Sequence, residues 1–178
     1  MPGTHPCLIA EPLTAGAWEP YGWLPLPDTA PGDGLQRLDF EWNDPHANII
    51  SHARDEISYE GSTPLCEELY RHDHHTQVLL VLDSEALMVV AERSVSFDRP
   101  ADREELRAFH LRPLDRLVLH KGTWHWGPYP LGTDQVRLFN IQSIAYLEDN
   151  TRVDLAGQDM VVAVAASGTG MTSGPHSP

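Results

Sequence analysis

Cysteine, basic side chains and long apolar runs are all scarce in this chain, and each shortage excludes a class of protein. Only Cys7 and Cys66 occur among 178 residues, and they form no Cys-x-x-Cys pair. A disulfide framework is excluded, and the two read as ordinary thiols of a reducing compartment. Twelve Lys and Arg stand against 26 Asp and Glu, a formal charge of −14. Such a surface repels nucleic-acid phosphates and anionic lipid, so neither nucleic acid nor a membrane is expected as a partner. An anionic substrate would need cations placed locally against that field. The longest nonpolar run, Met160 to Ala166, is far shorter than the ~20 residues of a membrane span. The N-terminus, MPGTHPCLIAEPL, has no basic start and no long apolar stretch. A signal peptide is therefore not expected, and the expected location is the cytoplasm.

What the chain does have is ordinary globular composition, 41% hydrophobic and 21% charged, in a length suited to one domain. Fifteen prolines and thirteen glycines divide it into short segments. Strands are predicted over 37–42, 48–53, 76–82, 86–91, 106–112, 116–120 and 136–144, from β-branched or aromatic enrichment with partial alternation. Turn signals separate them at 31–34 (Pro-Gly-Asp-Gly), 43–45, 61–64 and 98–102. Many short strands so punctuated predict an all-β barrel or sandwich. One short helix is predicted over Ala15–Trp18, capped by Thr14 and ended by Pro20. Residues 102–105 read as a solvated loop entering a strand, with a turn of helix as the alternative. The expected organisation is one barrel domain over 1–165 and a flexible tail over 166–178, with His5 and His176 in the ends and discounted as ligands.

Two histidine groups carry the chemistry. The first is Arg71-His72-Asp73-His74-His75-Thr76-Gln77, leading into an apolar strand. The second is His120-Lys121-Gly122-Thr123-Trp124-His125-Trp126, directly after another strand. Facing strands of a barrel can bring two such groups to one interior point. His72 and His74 share a strand face, because side chains alternate with a period of two. They form, with Gln77 and His125, a candidate divalent metal set of nitrogens and an amide oxygen, suited to zinc, iron, nickel or manganese. Parity raises a conflict: Gln77 shares its face with His75, not His74. Either a bulge shifts the register between 74 and 77, or His75 takes the place of His74 inside. The plainer reading is of histidines at barrel edges, bonded to backbone carbonyls.

Around His125, alternation sends Trp124 and Trp126 outward when His125 faces in, unless Gly127 and Pro128 break the pattern and leave Trp126 at the pocket rim. Gly122 suits a positive φ or a close approach. Arg54, at the end of a strand, could take a substrate carboxylate bidentately or pair with a surface acid.

These residues resemble the ureidoglycolate lyases of the cupin superfamily, over roughly Leu8 to Leu155. The resemblance is carried by Leu13 to Gly22 ending in Tyr-Gly, by Ile50-Ser51-His52-Ala53-Arg54, and by Glu68-Leu69-Tyr70-Arg71-His72 followed by Thr76-Gln77. Leu106-Arg107-Ala108-Phe109 and His120-Lys121-Gly122-Thr123-Trp124-His125 complete it. The sequence departs where the family's Pro-Leu-Gly after Arg-His becomes Asp73-His74-His75. It departs again where the family's second His after Trp-His becomes Trp126, and where a basic Arg becomes Lys121.

The resemblance implies a cupin jelly-roll barrel (a double-stranded β-helix) with one short N-terminal helix, a homodimer, and a place in purine catabolism. The implied reaction is cleavage of a ureidoglycolate-like hemiaminal, a small carboxylate, to glyoxylate and urea, with no organic cofactor. That chemistry assigns His120 or His125 as base, with Lys121 and Arg54 near the carboxylate. Gln77 and Trp126 join Arg54 as substrate-binding candidates. Two rival readings remain open. One is a metal-dependent cupin of another reaction type (dioxygenase, isomerase or decarboxylase), favoured by the extra imidazoles. The other is a non-catalytic ligand-binding cupin.

Overall fold

A computed structural model describes residues 4–27 and 36–167. Among them are fourteen strands and one α-helix. The chain runs β1 (Cys7–Pro12), α1 (Ala15–Trp18), β2 (Gly22–Trp23), β3 (Pro45–Ala53), β4 (Tyr59–Glu60), β5 (Thr63–Cys66), β6 (Glu68–Arg71) and β7 (Gln77–Val81). It continues through β8 (Ala86–Ala91), β9 (Arg107–Leu111), β10 (Arg116–Leu119), β11 (Trp124–Pro130), β12 (Gln135–Ser143), β13 (Thr151–Asp154) and β14 (Val162–Ala166). Thr14 caps α1 as expected, its hydroxyl accepting from Ala17 N at 3.3 Å.

The strands form a nine-stranded sheet, ordered β13-β6-β11-β8-β9-β1-β14-β5-β4, and a five-stranded sheet, ordered β2-β10-β7-β12-β3. Two apolar cores result. One is enclosed by the curl of the larger sheet and holds Leu69, Leu87, Val89, Trp124, Leu155 and Val164. The other lies between the sheets and holds Trp18, Leu79, Met88, Phe109, Leu119 and Leu138. All six residues of β8 are buried, its odd positions in the first core and its even positions in the second. A strand covered on both faces reads as a continuous apolar run, which is why β8 is plain in the sequence. The edge strand β3 alternates instead, with Ala47, Ile49 and Ser51 exposed.

Some expectations fail locally. Residues 37–42 make a strap rather than a strand, with a single bridge between Phe40 and His75. Residues 100–105 wind into a 3₁₀ helix rather than a loop, because Asp102 turns its carboxylate back onto the N–H groups of Asp98 and Arg99. The final strand runs to Ala166, one residue past the expected end of the domain. The rest of the expected tail, 168–178, lies outside the described residues, as does the Pro-Gly-Asp-Gly turn. Strands β1, β2, β4, β5, β6, β11, β13 and β14 appear where none was expected. The described residues include no helix long and apolar enough to cross a membrane.

Candidate active site

Between the sheets the apolar core ends in polar side chains. Gln77 opens β7, His125 sits on β11 opposite Val90 of β8, and Asn140 and Gln142 lie on β12. His72 and His75 come from the link between β6 and β7. All six are buried. The rings of His72 and His75 lie 4.5 Å apart between centroids, and those of His72 and His125 5.4 Å. With Gln77, His120, Leu119 and Thr123 they line a small, tight pocket.

Each imidazole is held through Nδ1. His72 donates to the carbonyl of Asp149 at 2.5 Å, His125 to the carbonyl of Thr123 at 2.9 Å, and His75 to the carboxylate of Asp149 at 2.8 Å. A ring that donates from Nδ1 and stays neutral keeps its lone pair on Nε2. Burial holds all three neutral by pushing the His125 pKa down to about 3, that of His75 to about 4, and that of His72 below its usual value. Gln77 donates its amide to Asn140 at 2.9 Å and to Gln142 at 3.3 Å, which turns Oε1 toward the pocket side. His75 Nε2 and Gln77 Oε1 are buried without a hydrogen-bond partner among the described residues. Orphaned buried acceptors of this kind call for a ligand, since leaving them bare costs about 1–3 kcal/mol each.

Those observations fit a divalent metal. His72, His75 and Asp149 present potential ligand atoms within 4.8 Å of one another. Asp149, however, already accepts from Asp73 N at 2.8 Å, His74 N at 2.9 Å and His75 Nδ1. It therefore acts as the carboxylate behind a histidine, orienting the ring and raising its basicity. His72 and His75, which contribute to that group, share their pocket with His125 and Gln77, so these four are candidate neutral donors.

The structure does not bring every expected residue here. His74 points away: Nδ1 pairs with Glu41 at 2.9 Å and the ring stacks on Trp42 at 3.6 Å. The alternation that would align it with His72 does not apply, because β6 ends at Arg71 and Asp149 draws residues 73–75 into a turn. Arg54 lines a different cleft, with its guanidinium 4.2 Å over the ring of Tyr59. Trp126 faces opposite to His125, packs on Tyr70 and His52, and lines a third cleft with Glu67, Glu68 and Arg152. Lys121 does lie at the mouth, but its ammonium is taken up by Asp39, at 2.5 Å, and by Glu41. His120 is exposed there, its ring 5.3 Å from Trp23. Burial and then the nearby Arg93 lower its pKa.

His120 and Thr123 also line an open outer cleft of about 520 Å³, with Trp23, Arg37, Thr76, Arg93 and Lys121. Sequence reasoning misses Asp149 and leaves open whether His75 is the inward ring. It also misses Arg93, for which no local motif exists.

The buried imidazoles have a pH consequence. Each binds its proton more weakly when folded than when unfolded, where the pKa is near 6.5. Between those values the unfolded state holds more protons, so stability rises with pH. The contribution is whole above pH 6.5 and drains away as pH falls toward about 4 for His75 and about 3 for His125. Metal-free protein is expected to lose stability by about 1.4 kcal/mol per pH unit for each such group. Denaturant titrations from pH 7 to 4 check this, and His125→Gln should flatten the slope.

An all-β chain of two packed sheets, with histidines clustered between them, defines a cupin-type jelly roll. The chain belongs to the ureidoglycolate lyase family, whose sequence model matches residues 5–162. No curated protein matches it. Among solved structures it is similar to vicilin from hazelnut, Corylus avellana, at 13% identity and a TM-score of 0.35. That match covers 68% of this chain and 35% of the vicilin chain, so it spans about a third of that protein.

Proposed function

We propose that the protein is a lyase that splits a ureidoglycolate-like hemiaminal carboxylate into glyoxylate and urea. Family membership supports the reaction class. The observation that carries the reading is the junction at His120 and Thr123 between a cation-bearing outer cleft and a pocket of unpaired acceptors. In the reaction the carbinol O–H loses its proton as the C=O forms. The C–N pair leaves with the ureido nitrogen, which takes up a proton. No proton is gained or lost overall, so one imidazole can carry it from oxygen to nitrogen.

His120 is suited to carry that proton. It is exposed in the cleft, its ring makes no hydrogen bond among the described residues, and its lowered pKa leaves it neutral near pH 7. His125, with a pKa near 3, is too weak a base and serves to hold instead. His72, His75, His125 and Gln77 would hold a divalent ion, which when bound supplies positive charge to polarise a substrate oxygen. Lys121 fastens the 37–42 strap through Asp39 and Glu41. The reaction is redox-neutral and calls for no organic cofactor.

A second reading, a redox metal enzyme of the same fold, rests on the inward turn of His75 where the family carries Gly. Purified protein, with and without added zinc, manganese, nickel or iron, should release glyoxylate from ureidoglycolate. Stoichiometric iron with no glyoxylate would favour the second reading.

A further inference from the structure

Most of the cations that could meet a substrate carboxylate are already engaged. Arg71 pairs with Asp73, Arg99 with Asp102, Arg137 with Asp83 and Arg152 with Glu68. Lys121 is committed to Asp39 and Glu41, and Arg54 lies over Tyr59 in another cleft. Arg93 differs. It is exposed on the wall of the outer cleft, and its guanidinium makes no ion pair or hydrogen bond among the described residues. In a chain of net charge −14, a guanidinium left free at the mouth of a pocket is a local exception to the field.

Its backbone and the base of its side chain are each in close contact with a neighbour. The Arg93 carbonyl accepts from Arg71 Nη1 at 3.3 Å. Opposite, Gly122 takes φ +80°, and a Cβ there would meet Arg93 Cβ at 3.1 Å. Gly122 therefore serves both needs, the left-handed turn and the close approach of the Arg93 stem. The charge lies near enough to His120 to disfavour protonation of that ring. Arg37 shares the cleft, but it sits on the irregular strap and has no comparable support.

We propose that Arg93 is the receptor for the carboxylate of the substrate, gripping it as a planar fork while the adjoining carbinol lies toward His120. The identity of the substrate rests on the lyase reading, whereas the anion site itself does not.

The test uses glycolate, the carboxylate fragment that lacks the ureido group, and its neutral counterpart glycolamide. Binding to the intact protein at about pH 7.5, where the lowered pKa of His120 leaves its ring neutral, is followed through the His120 resonances. Arg93→Gln is expected to weaken glycolate at least tenfold and to leave glycolamide unchanged, with partial recovery in Arg93→Lys. If ureidoglycolate is turned over, its KM should rise at least tenfold in Arg93→Gln. The proposal is overturned if wild-type protein does not bind glycolate, if it binds glycolamide equally well, or if only Arg54→Gln weakens glycolate. Arg93-dependent glycolate binding without glyoxylate release would uphold the anion site and remove the lyase reading.

Discussion

Protein carrying His125→Gln is expected to fold, to lose stoichiometric divalent metal on dialysis, and to release glyoxylate at least ~100-fold more slowly. Loss of an outer-shell partner alone costs 10–100-fold in affinity or activity, and a direct ligand should cost more. The fold should survive because glutamine can still donate an amide N–H toward the carbonyl of Thr123, the bond that holds His125 now at 2.9 Å. Without metal, the melting temperature should stay within roughly 4 °C of wild type, the shift for about 1 kcal/mol in a chain of this size. His75→Gln should behave alike. His74→Gln should keep its metal, since that ring pairs with Glu41 on the outside. Elemental analysis of the three variants separates the two neighbouring histidines directly. Loss of metal from His74→Gln alone would refute the donor set.

The opposite pattern, large loss of stability from a very small change, is expected at Gly22. A Cβ there would lie 1.7 Å from the carbonyl oxygen of Val118 and 3.0 Å from Trp18 Nε1. That oxygen accepts from Trp18 Nε1 at 3.0 Å, so the added methyl would force apart β2, β10 and the indole that closes the inner core. Neighbouring bonds would follow: the carbonyl of Tyr21 accepts from His120 N at 2.8 Å and from Thr123 Oγ1 at 2.9 Å. Gly22→Ala should therefore cost about 3 kcal/mol, or roughly 10 °C in melting temperature. It should also loosen His120, since Trp23 beside it packs on that ring. Calorimetry of the variant checks the figure. A melting temperature within a degree or two of wild type would mean that the close contact is relieved without cost.

How much of the fold and site is legible in the sequence follows from how local each signal is. β8 is readable to the residue because both faces are apolar, and α1 because Thr14 and Pro20 bracket it. β6 and β11 escape a reading by pattern. One is four residues long, and the other has its alternation broken at Gly127 and Pro128, where the register against β8 shifts. The strap at 37–42 has strand-like composition but pairs with one bridge only. In the site, His72, Gln77, His120 and His125 stand out because they cluster at strand ends. The choice between His74 and His75 is hidden, because it is made by Asp149, 74 positions from His75 in the chain. Arg54 and Trp126 lie in recognisable motifs, yet the fold delivers each to its own cleft.

β8 has a consequence for how this sequence can drift. Many strands have one committed face and one more open face, so substitutions at about half of their positions are absorbed by solvent. On β8 every position is a shared wall: a change at Leu87, Val89 or Ala91 is felt in one core, and a change at Ala86, Met88 or Val90 in the other. Register slippage offers no escape either, since a shift by one residue would exchange the two sets, small Ala86 for Leu87 and Met88 for Val89. The strand is thus the least permissive among the described strands, whereas Ala47, Ile49 and Ser51 form an exposed row on β3. A randomised library selected only for folding should keep its narrowest alphabet across 86–91.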